Sequence, residues 1–125
     1  MKRIALLMAF SQGCWASQCI SYAKPEFSGT LYSQTFALED AESSETVLLL
    51  KLPQAVCVSG GDEEMEYQPD ADGIQRIQLS LAEFADNEKL RQQSMGKTLT
   101  CVGELTSAYN GHHHVEMVLG NATCR

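Results

Sequence analysis

The chain has 125 residues, with 9 Lys+Arg against 16 Asp+Glu and a formal net charge of −7. That length holds one domain, and the acidic balance excludes a general nucleic-acid binder, which needs a Lys/Arg surplus to neutralise phosphate. Hydrophobic residues make up 44%, enough for a packed core, and five cysteines is a high and odd number for this length.

The start of the chain reads as an address. Met1-Lys2-Arg3 is basic, Ile4 to Phe10 is apolar, and Ser21-Tyr22-Ala23 is a run of mostly small residues. This is the order of a secretory signal peptide. The apolar run is too short for a bilayer, which needs about 20 residues. The sequence therefore predicts a signal peptide over 1–23 and a single domain over 24–125, with cleavage after Ala23, or after Ala16 as the alternative. Loss of Lys2 and Arg3 takes the formal charge from −7 to −9. The expected location is periplasmic or secreted. No second apolar stretch is long enough to cross a membrane, so an integral membrane protein is not expected.

Export favours disulfides over free thiols. No Cys-x-x-Cys pair exists, which argues against a zinc ribbon or a thioredoxin-like site. Cleavage after Ala23 leaves Cys57, Cys101 and Cys124; cleavage after Ala16 leaves Cys19 as well. A Cys57–Cys124 bridge is predicted, because it would tie down a tail that otherwise frays.

Phe27 to Phe36 mixes β-branched, aromatic and small residues and predicts a strand. Leu38 to Glu45 is an acidic connection. Thr46 to Leu52 (TVLLLKL) predicts a strongly apolar strand, bent or ended by Pro53, with Ala55 to Val58 continuing it. Ser59 to Gly73 is a loop, within which Asp62, Glu63, Glu64, Glu66, Asp70 and Asp72 place six carboxylates in eleven residues. Ile74 to Leu79 is the next strand. Ser80 and Glu83 then form a capping-box pattern, with helix formers through Met95 and Gly96 as a stop. Lys97 to Ala108 alternates as a strand, Tyr109-Asn110-Gly111 signals a turn, and His112 to Leu119 is read as the return strand. The expected fold is mainly β: a small five-stranded OB-like barrel with one helix between the third and fourth strands.

All three histidines of the chain stand together in Gly111-His112-His113-His114. On a strand, His112 and His114 would share a face. His-x-His is ligand spacing for zinc, nickel or copper, with Glu116 as the nearest third ligand. Without a metal, the imidazoles fix the hairpin by hydrogen bonds. Tyr109, Asn110, His112, His113 and His114 are the candidate binding residues. No G-x-S-x-G elbow, H-E-x-x-H or phosphate-cradling glycine loop is present, so no catalytic residue is assigned and no enzyme is expected.

The segment from about Val47 to Leu119 resembles a family of small exported bacterial domains of unknown function. The resemblance rests on an apolar strand ending in cysteine (LLLKLPQAVCV), an Ile-Gln strand (IQRIQL), and a V-x-G-x-L strand leading to a three-histidine turn (CVGELTSAYNGHHHVEMVL). Val115 stands where that family usually carries Thr. The resemblance implies a fold and a functional region, but no reaction; no cofactor is expected beyond the zinc, nickel or copper that the histidines could hold. The expected function is an exported non-enzymatic binding module for a protein or envelope component, with a cationic partner favoured by the acidic balance. An inhibitor or immunity-type protein is one version. A metal-binding protein and an enzyme with an unrecognised site are the alternatives.

Overall fold

The computed structural model describes residues 19–62, 64–81 and 84–125. The elements are β1 (Ile20–Ser21), β2 (Glu26–Ala37), β3 (Ser44–Ser59), β4 (Ala71–Leu81), α1 (Phe84–Gln93), β5 (Thr98–Ser107) and β6 (Met117–Cys124). The predicted signal segment through residue 18, and the Glu83 half of the capping box, lie outside the described residues.

Period-2 alternation sends Leu31 from β2, Leu48 and Leu50 from β3, Ile77 from β4, Leu105 from β5 and Leu119 from β6 into one core, each 2% exposed or less. Five strands close around them in the order β3-β2-β5-β6-β4 and back to β3. β4 and β6 are parallel; the other four barrel pairings are antiparallel. Closure leaves none of the five with a free edge, the usual template for aggregation. Gly103 is required at the β5–β6 bulge, because a Cβ there would lie 2.5 Å from the Gly120 carbonyl.

The helix joins β4 to β5. A two-residue β1, too short to carry a sequence pattern, precedes the barrel strands and pairs in parallel with Val58–Ser59 of β3. The predicted boundary at Lys24 also moves. Cys19 is disulfide-bonded to Cys57 and Tyr22 is buried in the core, so residues 19–23 belong to the folded unit. The predicted Cys57–Cys124 bridge does not form. Cys124 is instead bonded to Cys101, its register partner on the neighbouring strand. Two bridges satisfy four cysteines, and both are compatible with an oxidising, exported location. No helix among the described residues is long and apolar enough to cross a membrane.

Candidate functional site

The outer face of the barrel carries an unusual row. Leu49, Gln78 and Val118 are in register across β3, β4 and β6, and all three are buried although they alternate with core-facing neighbours. The β5–β6 connection, residues 108–116, folds back over this row. It contributes the buried Val115, an apolar residue suited to an apolar bed.

Gln78 holds this connection in place. Its amide nitrogen donates to the His112 carbonyl at 2.8 Å, and its amide oxygen accepts from the His114 amide at 2.8 Å. The side chain thus serves as one residue of strand partner to the turn. Gln78 is the one buried polar side chain among the described residues, and both ends of its amide are satisfied. Asn110 shapes the other end. Its side-chain oxygen accepts from the His112 amide at 2.8 Å and its carbonyl from the His113 amide at 3.1 Å, a local Asx geometry that favours Asn in turns. Ala108 donates to the Glu116 carbonyl at 3.0 Å and closes the loop.

The histidines therefore stand in a turn. β6 begins only at Met117, so the expected return strand from His112 is corrected to one starting five residues later. His112 and His114 nonetheless converge, through the loop and not through strand alternation. The group between them is Glu45, at the start of β3. His112 Nδ1 lies 2.9 Å from one carboxylate oxygen and His114 Nε2 lies 2.8 Å from the other. A carboxylate only accepts, so His112 donates from Nδ1 and His114 from Nε2. The hydrogen bond from His114, reinforced by His112 and opposed by burial, holds Glu45 below the ordinary carboxyl range. Phe36 stacks on the His114 ring, with centroids 4.6 Å apart and planes 4° from parallel. His114 is consequently only 10% exposed, against 75% for His112.

Glu116, the expected third metal ligand, is elsewhere: it lines a small cleft with Gly73 and Arg76. Among the described residues, no group of three His, Cys, Asp or Glu is placed to hold a metal ion. What joins His112 and His114 is a carboxylate hydrogen-bonded to both, and a metal would have to displace both of those protons. Glu45 and Gln78 escaped the sequence reading because 67 and 34 residues separate them from His112, and no local pattern marks them.

His113 faces a different group. Its Nδ1 accepts from the Tyr109 amide at 3.1 Å, and its ring meets the Tyr109 ring edge-on at 4.6 Å. Tyr109 in turn stacks on Tyr67 from the β3–β4 loop at 4.7 Å. Tyr67 has φ 68°, a left-handed conformation that costs a bulky residue about 1 kcal/mol or more. Its carbonyl is pinned by the Ser107 amide at 2.8 Å. That pinned, strained backbone is what sets Tyr67 beside Tyr109. Met65, Tyr67 and Tyr109 are 55%, 45% and 51% exposed.

The His113 pKa is lowered, first by burial and then by repulsion from His112 and His114, with Glu45 opposing. Its neutral form therefore contributes stability that is complete above the unfolded-state value near about 6.5. That contribution is lost as pH falls through the lower folded-state value. Protonation also removes the acceptor that Tyr109 uses. The melting temperature is expected to fall as the pH is lowered below about 6.5. His113→Asn, which cannot titrate, is expected to flatten part of that fall; an unchanged slope would refute the assignment. Glu45 acts lower still, its contribution being lost as pH drops through its depressed carboxyl value.

No family model, curated protein or solved structure matches the chain.

Proposed function

We propose that this is an exported, non-enzymatic binding module built on an OB-like barrel, whose β3–β4 and β5–β6 loops contact a cationic protein of the cell envelope. The version favoured is an inhibitor or immunity-type protein that caps a basic enzyme. In this reading, processing after Ala16 leaves Cys19, β1 and Tyr22 intact, and the chain is a member of the three-histidine family that its 47–119 segment resembles.

The observation that carries the reading is the Tyr67–Tyr109 stack. Of the four exposed large hydrophobics among the described residues, three gather here: Met65, Tyr67 and Tyr109. Tyr and Met are enriched at protein interfaces, where a few aromatic anchors supply most of the binding energy. A backbone strain retained at Tyr67 fits a side chain held for contact. Exposed Asp62, Glu64 and Glu66 stand beside the platform and supply a negative rim, which steers a cationic partner and sets specificity. For the barrel type, the support is the closed strand order with β4 parallel to β6 and the helix joining β4 to β5.

The test is titration calorimetry against purified basic wall hydrolases, a lysozyme first. Binding is expected to weaken as salt rises. Tyr109→Ala is expected to reduce affinity by about tenfold to thirtyfold, the range of an interface anchor. Absence of binding across the panel, or binding indifferent to Tyr109→Ala, would sink the reading.

A further inference from the structure

A second outward row crosses the barrel two residues along the strands from Leu49 and Gln78. Thr30 pairs with Lys51, and Lys51 pairs with Arg76, across β2, β3 and β4. The neighbours Leu31, Leu50 and Ile77 point inward and are fully buried, so these three side chains point out. Two cations therefore stand directly opposite one another on adjacent strands. Like charges in that position destabilise a sheet.

Neither cation is neutralised. Among the described residues the ion pairs join Glu88 to Arg91, Glu45 to His112 and His114, and Glu26 to Arg125. Arg76 donates to a neutral partner, the Gln34 side-chain oxygen, at 3.0 Å. Glu116 lines a separate small cleft together with Arg76, and no ion pair joins the two. In a chain with 16 acids, an uncompensated cation pair is a departure that calls for a cause.

The backbone beside the pair is shaped as well. Between Lys51 and Val56, β3 advances five residues while β4 advances two, from Arg76 to Ile74. The surplus arches outward at Pro53, which has no amide hydrogen to give to a ladder. The arch forms one wall of a cleft of about 770 Å³ lined by Thr30, Tyr32, Lys51, Pro53, Gln54 and Arg76, among others. Its volume is in the range of small-molecule sites.

We infer that this cleft binds an oxyanion, a carboxylate or phosphate, carried on a hydroxylated frame of the kind a sugar provides. Arg76 supplies the planar fork for a bidentate anion and Lys51 a point charge. Thr30, Gln54 and Gln75 supply hydrogen bonds to hydroxyls, and Tyr32 and Pro53 supply apolar faces. Two cations in an acidic protein are too few to track a nucleic-acid backbone, which leaves a short anionic saccharide as the better fit. The site shares no residue with the Tyr67–Tyr109 platform, so either can fail alone.

The experiment is amide and side-chain NMR titration of the whole domain with tri-galacturonate, inorganic phosphate, neutral galactotriose and a short single-stranded oligonucleotide. Resonances of Tyr32, Lys51 and Arg76 are expected to shift with the galacturonate and, more weakly, with phosphate. Arg76→Gln is expected to weaken galacturonate binding at least tenfold and Arg76→Lys by less. Without ligand, Lys51→Gln is expected to raise the melting temperature by a few degrees through relief of repulsion. Four results would each overturn the inference: no shift at about 10 mM, where a millimolar site is mostly filled; an equal response to the neutral sugar; tighter binding of the oligonucleotide; or affinity unchanged in a folded Arg76→Gln protein.

Discussion

Gln78→Ala is expected to cost about 3 kcal/mol of folding stability. The reason is asymmetric: the mutation removes one side chain but strands two partly buried backbone groups, the His112 carbonyl and the His114 amide. A buried polar group left without a partner costs about 1–3 kcal/mol, against about 1 kcal/mol net for an ordinary hydrogen bond. For a domain of this size such a loss lowers the melting temperature by roughly 15 °C. Gln78→Met is the sharper control, since it fills the same volume and leaves the same two groups unpaired. Urea denaturation should place it close to Gln78→Ala. A loss under about 1 kcal/mol in both variants would mean that water or Asn110 holds the turn without Gln78.

The second large effect is expected from the Cys101–Cys124 bridge. It closes a loop of 23 residues, and the chain-entropy account assigns such a loop about 3 kcal/mol. The double replacement Cys101→Ala, Cys124→Ala should lower the urea midpoint accordingly, with a somewhat steeper slope as the unlinked unfolded chain expands. Cys19–Cys57 closes a loop of 38 residues, so reduction of both bridges removes a sum near the whole stability of a typical domain of this size, about 5–15 kcal/mol at most. Excess dithiothreitol is therefore expected to leave the chain largely unfolded at 37 °C, as judged by loss of near-ultraviolet dichroism. A reduced protein that melts as the oxidised one does would show that the barrel stands on its core alone.

Much of the fold is written in local pattern. Alternation in Phe27 to Phe36 and Lys97 to Ala108 lies inside β2 and β5 to within a residue or two. Pro53 marked the irregular part of β3, although the strand continues past it as an arch. What alternation misreads is a strand buried on both faces. In Leu48-Leu49-Leu50 and Ile77-Gln78-Leu79 every residue is buried, because the β5–β6 connection covers the outside. A glutamine in that setting gives the same sequence signal as an exposed one. The histidine turn after β5 was legible as a turn, yet its contacts were not. His112 and His114 were expected to meet Glu116, four and two residues away; they meet Glu45, which stands inside an acidic run and looks solvated in the sequence. The disulfides failed for a similar reason: four cysteines allow three pairings, and only the register of β5 with β6 selects Cys101 for Cys124.

The strand order also dictates when this chain can fold. β6 is the last barrel strand to be made, yet it is inserted between β4 and β5. Until it arrives, β4 lacks one neighbour and Met117 and Leu119 are missing from the core. The pairing of Glu26 with Val102 spans most of the domain as well. Such non-local contacts repay their loop-closure entropy only at the end. The nascent chain is therefore expected to form no stable folded subset before β6 is made. Its structure is expected to appear in one late, cooperative step, sealed when Cys124 reaches Cys101 across the final strand pair.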